Sequence, residues 1–485
     1  MKPLRFPGET MNLRSVLASA ILGAAALFTP FASPAEAQGR DGVPHWQQAS
    51  AWPDRVIVTL PGDPRSSFAV TWRTDTSVET AEAEIVLATP DARFDLGADS
   101  VAAATQFMDP SRVHRLGEEV TVGWNANLPP VHYHSVQFEG LEPDTLYAYR
   151  VRGGGNAWSE WYHVRTAPVS GPVSFIYMGD AQNGIRSHWA RTMRASFQTA
   201  PHARFVLHAG DLVGRGARDG DWAAWFDALG FIHAMIPAIP VAGNHEYDRI
   251  GLPDDADRVL GMLWPPQFSL PEDSSLPEIL RDTVYAVSYN DDVDIFVLDT
   301  TAPHFDAQVA WLEAQLQQSR ARWRILSMHH PVFSSGGNRD NPEIREALLP
   351  ILLEHGVELV LQGHDHTYAR GQIEQGGTGG LATVFVTSVG GHKQYVFKED
   401  LWEEYASYGV ELARHAENTQ MYHVIDIEGD TLRFTSYTVT GELYDSFTLN
   451  RTDGRGALII EGPGHEGEAR RFANTLPYPR LADRE

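Results

Sequence analysis

The sequence predicts an all-β sandwich followed by a larger α/β domain, because the hydrophobic pattern changes its period along the chain. From about residue 45 to residue 168, short runs rich in β-branched and aromatic residues are separated by Pro, Gly and Asp, which is typical of a small β-sandwich. After the Pro- and Gly-containing segment 167–172, apolar runs alternate with segments of helical spacing. That alternation predicts mixed sheets covered by helices.

The predicted strands of the sandwich are short and bounded by turn residues. We place them at residues 55–60, 68–73, 83–88, 132–138, 146–151 and 161–166. In the α/β domain, buried strands are predicted at residues 173–178, 205–208, 238–242, 294–299, 324–328 and 358–361, and later strands at 421–427, 431–438 and 444–449.

Helices are predicted between the strands of the α/β domain, at residues 187–199, 221–233, 307–320 and 342–355. In the third of these, Val309, Leu312 and Leu316 recur at helical spacing, so they share one face. The elements give predicted domain limits of 45–168 and 173–450. The Gly-, Arg- and Glu-rich segment 453–485 is expected to be a polar, loosely ordered tail.

Residues 1–37 have the composition of a secretory signal peptide. Arg14 precedes an apolar run at residues 16–31, and Ala35-Glu36-Ala37 provides the small residues of a cleavage site. The alternative is an N-terminal membrane anchor, but the run contains polar residues and proline and is short for a spanning helix. We therefore expect a secreted or periplasmic protein with no membrane attachment after cleavage.

The charge balance argues against one class of partner and favours a metal centre. The chain has 485 residues, with 38 Lys and Arg against 63 Asp and Glu, for a formal net charge of −25. Nucleic acid is not expected as a binding partner, because phosphate neutralisation requires clustered basic residues. A small anionic substrate would need a local positive centre, which a metal can supply. The absence of cysteine excludes disulfides, thiolate metal ligands and cysteine nucleophiles.

Five short motifs, most of them directly after an apolar run, carry residues suited to a metal site. Ligands in α/β sheets gather where strands give way to loops, and carboxylate, amide and imidazole groups suit Zn, Mn or Fe. Each motif alone has a structural explanation as a turn, a cap or a packed pair, but the ordered set indicates a metal centre. The motifs are Met178-Gly179-Asp180, Ala209-Gly210-Asp211, Gly243-Asn244-His245-Glu246, Met328-His329-His330-Pro331 and Gly363-His364-Asp365-His366.

The order of these motifs resembles that of the calcineurin-like metallophosphoesterase superfamily. In the first domain, Leu141, Pro143, Thr145 and Tyr147 resemble the corner of fibronectin type III domains. Taken together, the two domains most resemble purple acid phosphatases and their bacterial relatives. The resemblance implies a fibronectin type III-like sandwich followed by a four-layer α/β/β/α domain. The corner tyrosine is expected to hydrogen-bond to the backbone.

The resemblance also implies two metal ions, divalent or trivalent, with Fe, Zn, Mn and Mg all open. Asp211 would bridge both ions, and the other ligands would be carboxylate, amide and imidazole side chains. They are Asp180 and His366 for one ion, and Asn244, His329 and His364 for the other. His330 is expected to be a pocket or supporting group rather than a ligand.

The chain departs from the family at two positions. Purple acid phosphatases carry a tyrosine three residues after the bridging aspartate, where this chain has Gly214. The tyrosinate–iron bond that gives the purple colour cannot form from that position, so an iron(III) requirement is less expected. Other superfamily members have a histidine two residues after the first aspartate, where this chain has Gln182. Gln182 is interpreted as a weak ligand of the first ion, as a partner of a metal-bound water, or as a loop amide facing solvent.

A mechanism follows from these assignments if the centre is intact. Metal ions lower the pKa of a bridging water, and the metal-bound hydroxide would attack phosphorus in line. His245 is the candidate for protonating the leaving group or clamping a phosphate oxygen. Glu246 is the candidate for orienting His245, with capping of the following turn as the alternative. If the His364-Asp365-His366 segment is extended, Asp365 points away from its histidine neighbours, and it is expected to be a structural hydrogen-bonding group.

Substrate contacts are expected from Asn244, His245 and His330, and from two loop residues. Arg339 follows a predicted ligand segment closely and is a candidate for binding phosphate, with a solvated surface arginine as the alternative. His392, after a Gly-Gly pair, is a further candidate for lining the site. The long acidic and Pro-rich insertion at residues 248–282 is interpreted as a lid or binding loop.

The leading hypothesis is an exported two-metal phosphatase that hydrolyses phosphate monoesters. A phosphodiesterase or nucleotidase with the same metal core is the alternative within enzymes. A non-catalytic surface-binding protein with a degenerate centre is the alternative from another class. The sequence leaves open the metal identity, the natural ester, the pH optimum and the oligomeric state.

Overall fold

The computed structural model describes residues 44–337, 339–375, 381–452 and 456–475. The predicted signal peptide and the last part of the predicted tail lie outside these residues. No helix within the described ranges is long and apolar enough to cross a bilayer.

The N-terminal part is a β-sandwich, as predicted. Its first sheet has the strand order β1-β2-β8-β5 and its second the order β10-β9-β3-β4, while β6 and β7 form a separate hairpin. Phe68 and Trp72 of one sheet and Tyr149 and Val151 of the other are buried in the core. The strands are β1 (Asp54–Thr59), β2 (Phe68–Asp75), β3 (Glu82–Leu87), β4 (Asp99–Ala102), β5 (Ala104–Met108), β6 (Arg112–Arg115), β7 (Glu118–Thr121), β8 (Val131–Phe138), β9 (Leu146–Val151) and β10 (Tyr162–Arg165).

The predicted tyrosine corner is confirmed. The hydroxyl of Tyr147 accepts a hydrogen bond from the backbone N–H of Glu142 at 2.9 Å, which ties β9 to the segment before it. The sequence prediction missed β4 to β7, because most of their side chains are exposed and show no buried alternation. Strands without a buried face lack the pattern by which strands are predicted.

The second part is a mixed α/β structure whose strands and helices alternate along most of the chain. Its strands are β11 (Val173–Met178), β12 (Val206–His208), β13 (Ala238–Pro240), β14 (Tyr247–Asp248), β15 (Val259–Leu260), β16 (Tyr285–Asn290), β17 (Val293–Val297), β18 (Trp323–Ser327), β19 (Leu359–Gln362), β20 (Tyr368–Gln375), β21 (Leu381–Thr387), β22 (Glu411–Ala416), β23 (Met421–Glu428), β24 (Thr431–Thr438), β25 (Leu443–Thr452) and β26 (Gly456–Glu461). Its helices are α1 (Ala190–Thr199), α2 (Asp219–Leu229), α3 (Ile232–Met235), α4 (Phe305–Gln318), α5 (Pro342–His355), α6 (Glu399–Tyr405) and α7 (Phe472–Thr475).

Two large sheets form the centre of this part, with orders β13-β12-β11-β23-β24-β25-β26 and β16-β17-β18-β19-β21-β20-β22. Along β11, Phe175 and Tyr177 belong to the core shared with the second sheet, whereas Ile176 and Met178 pack with the helices. Such strands are apolar on both faces, as expected for covered parallel strands. Parallel pairing of β11 with β12 and of β12 with β13, and likewise of β17 with β18 and of β18 with β19, places the loops after these strands at common edges.

Two local predictions are wrong. The predicted helix at residues 221–233 is broken into α2 and α3, because Gly230 adopts a positive φ of 56° between them. The predicted tail contains β26, which pairs antiparallel with β25. Its apolar run from Ala457 to Ile460 lies within a Gly- and Arg-rich segment, so the average composition concealed it.

Candidate metal centre

The five motifs lie in loops that follow strands of the two large sheets, so the prediction that they occupy strand ends is confirmed. Because β11, β12 and β13 run parallel in the first sheet, and β17, β18 and β19 in the second, the loops after these strands meet at one edge. Asp180 follows β11, Asp211 follows β12, Asn244, His245 and Glu246 follow β13, His329 and His330 follow β18, and His364 and His366 follow β19.

The backbone turns sharply at four of these side chains. Asp180, Asp211, His364 and His366 have φ values of 49°, 50°, 74° and 50°, in the left-handed region that is costly for residues other than glycine. The segment 363–366 is therefore not an extended strand end, and its two imidazoles converge through left-handed turns. A Cβ on Gly363 would lie 2.6 Å from Asp180 Oδ2, so the close approach of these loops requires glycine.

One set of potential donors, the His329 group, consists of Asp211, Asn244, His329 and His364. Nε2 of His329 lies 3.2 Å from Asp211 Oδ2, from Asn244 Oδ1 and from His364 Nδ1. The Nδ1–H of His329 donates to the carbonyl of Ala209 at 2.8 Å, which leaves the lone pair of Nε2 directed at the group. Ligand atoms of Asp211, His329 and His364 all lie within 4.8 Å of one another, as binding of one cation requires.

A second set, the Asp180 group, consists of Asp180, Gln182, Asp211 and His366. Ligand atoms of Asp180, Asp211 and His366 lie within 4.8 Å of one another. The Nδ1–H of His366 donates to the carbonyl of Lys393 at 2.8 Å, so Nε2 faces the group, 3.5 Å from Asp180 Oδ1. Asp211 belongs to both groups, and its carboxylate therefore lies between them.

Gln182 is buried, so the interpretation as a loop amide facing solvent is wrong. Its Nε2 lies 2.7 Å from Asp211 Oδ2 and 3.0 Å from His366 Nε2. Oε1 of Gln182 and Oδ1 of Asp180 are buried with no hydrogen-bond partner among the described residues. Buried polar atoms are normally paired, so unpaired oxygens next to carboxylate and imidazole donors fit a bound cation. The donors are oxygen and nitrogen, which suits Fe, Zn, Mn and Mg.

The two buried carboxylates strongly perturb the titration of the centre. Burial raises the pKa of Asp180 to about 8, and the charge of Asp211 adds to this effect. Burial opposes protonation of His329, but Asp211 and Asp180 raise its pKa to about 10. Burial lowers the pKa of His366 to about 3. The buried carboxylates therefore favour bound protons at Asp180 and His329. A bound metal cation would replace these protons as the positive charge of the site.

His245 lies beside the shared carboxylate but outside both groups. Its backbone N–H donates to Asp211 Oδ1 at 2.9 Å, and its Nε2 lies 3.9 Å from Asp211 Oδ2. The Nδ1–H of His245 donates to the carbonyl of Gly214 at 2.7 Å, and this bond fixes the ring. A Cβ at Gly214 would lie 3.1 Å from Asp221 Oδ2. A tyrosine at this position would therefore displace Asp221.

Glu246 does not orient His245, which corrects the sequence-based assignment. The Glu246 carboxylate is buried and accepts hydrogen bonds from the backbone N–H groups of Asp211, Val213 and Gly243, at 2.9, 3.1 and 2.7 Å. It therefore joins the loop after β12 to the loop after β13. Glu246 therefore has a structural role. It does more than cap the following turn, because it also fixes the backbone of Asp211.

Asp365 is a structural hydrogen-bonding group, as predicted. Its Oδ2 accepts from the backbone N–H groups of Ser335 and Gly336. These bonds hold the loop that carries Arg339 against the segment of the two histidines. Nη1 of Arg339 donates to the carbonyl of His364 at 3.0 Å, which places this arginine next to the His329 group.

The other two candidates for substrate contact lie at different distances from the centre. The ring of His330 lies 4.1 Å from that of His364, and its Nδ1 is 2.8 Å from the hydroxyl of Thr300. His392 instead stacks on exposed His188, with ring centroids 4.5 Å apart. The structure therefore brings His330 into contact with the His329 group, whereas the neighbour found for His392 is another histidine outside both groups.

Sequence reasoning missed two residues that contact the centre. Tyr395 packs its ring 4.7 Å from that of His366, and its hydroxyl accepts a bond from Arg339 Nη2 at 3.2 Å. Thr300 holds His330, and its position directly after a predicted strand was a signal that could have identified it. For Tyr395 the sequence signal was weaker. The only indication was that Tyr395 lies close to the Gly-Gly pair that precedes His392.

Two family models match the chain. Residues 53–166 match the model described as the purple acid phosphatase N-terminal domain. Residues 174–368 match the model described as calcineurin-like phosphoesterase. The second match contains all members of the His329 group and the Asp180 group.

Plant purple acid phosphatases are among the proteins similar to this chain. Over 335 residues, 67% of this chain and 68% of the relative, the chain is 23% identical to purple acid phosphatase 18 of Arabidopsis thaliana. It is 34% identical to purple acid phosphatase 17 of the same plant over 26% of this chain and 40% of that protein. The structure of a purple acid phosphatase from yellow lupin (Lupinus luteus) seeds covers 83% of this chain, and the match covers 75% of the lupin chain. Its TM-score is 0.65 at 19% identity, which shows a common fold.

Proposed function

Because the chain belongs to the purple acid phosphatase-like metallophosphoesterases, a family of metal-dependent enzymes, we propose that it is an exported phosphatase that hydrolyses phosphate monoesters. The observation that carries this proposal is the position of Asp211, whose carboxylate is shared by the two donor groups. A carboxylate between two donor sets suits a pair of ions that act on one phosphoryl group.

The donor sets divide between two ions of Fe, Zn, Mn or Mg. Bound there, the ions would supply Lewis-acid activation of a water molecule and of the phosphoryl oxygens. The proposed ligands besides Asp211 are Asn244, His329 and His364 for one ion, and Asp180, His366 and Gln182 for the other.

We assign the proton of the leaving group to His245. Its Nδ1–H is already bound to the carbonyl of Gly214, so the proton gained by the imidazolium is on Nε2. Nε2 is the atom that faces Asp211 and the centre. It can donate this proton to the ester oxygen as the bond to phosphorus breaks. Before that step the same N–H can hold a phosphate oxygen.

His330 and Arg339 are proposed to orient the phosphate. The hydroxyl of Thr300 accepts the backbone N–H of His330 at 3.0 Å and lies 2.8 Å from Nδ1, so these two contacts fix the ring. Burial lowers the pKa of His330 to about 3, which keeps the ring neutral. Arg339 brings one of the few cations of this acidic chain to the same side.

We further propose that the sandwich spans residues 45–168 and that the catalytic domain extends from 173 to 461, because β26 adds to its first sheet. Export would remove residues 1–37. Protein recovered from the periplasm or the medium is expected to begin at Gln38, and N-terminal sequencing checks this. A mature protein that retains residues 1–37 and stays with the membrane would contradict export and support the anchor.

The function is tested with protein purified without chelator. We expect about two equivalents of transition metal, with p-nitrophenyl phosphate hydrolysed faster than bis(p-nitrophenyl) phosphate. Chelation should abolish turnover, and added Mn or Zn should restore it. A His329→Ala variant purified in the same way controls for contaminating phosphatases.

Two outcomes would contradict the proposal in different ways. Faster hydrolysis of the bis-ester would identify a phosphodiesterase with the same core. Protein that binds less than one equivalent of metal, and that added Mn or Zn does not activate, would identify a binding protein with a degenerate centre.

A further inference from the structure

A hairpin of the N-terminal sandwich borders one side of the metal centre. Strands β6 and β7 lead into a small apolar cluster in which Val113 and Val122 pack with Ala217 of the catalytic part. Arg115 of the same hairpin forms an ion pair with Asp248, which begins the insertion after β13. The hairpin therefore contacts both the loop after β12, which carries Asp211, and the insertion that follows the Asn244-His245-Glu246 segment.

Trp124 is exposed directly after this hairpin, yet its neighbour holds it in place. Asn125 is buried, and its side chain donates to the carbonyl of Ala217 at 2.8 Å and accepts from the N–H of Asp219 at 3.0 Å. The indole of Trp124 is 51% exposed. The guanidinium of Arg215 lies over it, 5.1 Å from the ring centroid. An exposed aromatic side chain on a fixed backbone is a preformed stacking surface.

Arg215 connects this surface to the proposed proton donor. It directly follows Gly214, whose carbonyl binds Nδ1 of His245 at 2.7 Å. The leaving group of the ester departs on the side of the group that protonates it, so the part of the substrate beyond the ester oxygen extends towards His245. Arg215 is exposed next to Gly214, and its guanidinium lies over the exposed indole of Trp124, so both side chains are available to a substrate that extends in this direction.

We propose that Trp124 and Arg215 form a subsite for the nucleoside of a nucleoside monophosphate, an inference that rests on the proposed phosphatase function. Aromatic side chains stack on nucleobases of any identity, and a guanidinium adds a planar cation to such a stack. The indole is reached from Gly214 through the side chain of the next residue, Arg215. In a nucleoside monophosphate the base is carried on a ribose and lies farther from the ester oxygen than the ring of an aryl phosphate, so the base is the part expected to reach the indole.

The test compares KM and kcat for three esters with the metal-loaded enzyme. The esters are adenosine 5′-monophosphate (AMP), p-nitrophenyl phosphate and glycerol 2-phosphate. Trp124→Ala should raise KM for AMP by about tenfold, the size of one lost base stack, with kcat unchanged. The constants for the other two esters should not change, and Trp124→Phe should retain most of the affinity for AMP.

The matched control is Trp52→Ala, because Trp52 is 62% exposed and lies just before β1. This variant should behave as the parent enzyme on all three esters. An unchanged KM for AMP in Trp124→Ala would overturn the subsite. An equal loss on all three esters would overturn it as well, since it would show a structural role for Trp124.

The failure of the subsite is distinguishable from the failure of the proposed function. If the parent enzyme hydrolyses p-nitrophenyl phosphate and glycerol 2-phosphate but not AMP, the subsite is wrong and the phosphatase assignment stands. If the metal-loaded parent hydrolyses none of the three, both are wrong.

Discussion

The two donor groups share Asp211 but differ in how completely their atoms are paired. In the His329 group, Nε2 of His329 lies 3.2 Å from each of the other three donors, and the carbonyl of Ala209 fixes its ring. In the Asp180 group, Oδ1 of Asp180 and Oε1 of Gln182 have no partner within the described parts of the chain. The first group is held together by its own contacts, whereas the second has oxygens that a cation would pair.

The two groups also differ in their nitrogen donors. In the His329 group, Nε2 of His329 contacts the carboxylate of Asp211 at 3.2 Å, and a second imidazole, that of His364, lies beside it. The Asp180 group has one imidazole, that of His366, and the neutral amide of Gln182. An amide oxygen is a weaker donor to transition metals than an imidazole nitrogen. We therefore expect the ion of the Asp180 group to be bound more weakly and to be removed first by a chelator.

The largest effect is expected from removing the carboxylate that both groups share. Asp211→Ala should reduce the metal content from about two equivalents to less than one. It should lower kcat/KM by roughly 10³-fold or more, because metal ions contribute several kcal/mol of charge stabilisation. Asp180→Ala should retain the ion of the His329 group. Elemental analysis and turnover of the same samples measure both effects.

Asp91→Ala is the control for these two variants, since Asp91 is an exposed residue of the sandwich. It should match the parent protein in metal content and rate. Retention of two equivalents by Asp211→Ala would contradict the shared position of this carboxylate.

A smaller effect separates proton transfer from metal binding. His245→Ala leaves both groups intact, so it should keep both ions and lose roughly 10²-fold in kcat, the usual scale for a general acid. The loss should be greater for glycerol 2-phosphate than for p-nitrophenyl phosphate, because a poor leaving group needs the proton more. Parent-like turnover of both esters with full metal content would show that His245 is not the donor.

The residues of the two groups could be predicted because their motifs follow apolar runs and occur in an order that resembles that of the calcineurin-like metallophosphoesterases. Once 173–178, 205–208 and 238–242 are recognised as adjacent buried strands, the side chains after them must meet at one edge. Backbone geometry was not predictable in the same way. The His-x-His spacing suggested an extended segment, but His364 and His366 are both left-handed, and only the close approach of neighbouring loops makes that conformation tolerable.

Contacts between segments that are distant along the chain could not be predicted from the sequence. Glu246 adjoins His245, and adjacency suggested a pair, yet its carboxylate turns away to three backbone N–H groups of two loops. Trp124 belongs to the sandwich and contacts Arg215 of the catalytic part across 91 positions of sequence. No local pattern encodes such a meeting, because it depends on how the two parts pack.

The smallest effect is expected at Gln182, and it tests the difference between the groups most directly. Gln182→Ala should weaken the more weakly bound ion by about tenfold, the lower end for residues that support a metal site, and leave the other ion unchanged. Gln182→His should strengthen the same ion. Chelator titration resolves the two affinities, with Gln317→Ala on the exposed side of α4 as the control. If Gln182→Ala instead weakens the more tightly bound ion, the Asp180 group is the stronger site. The unpaired oxygens of Asp180 and Gln182 would then indicate strong rather than weak metal binding.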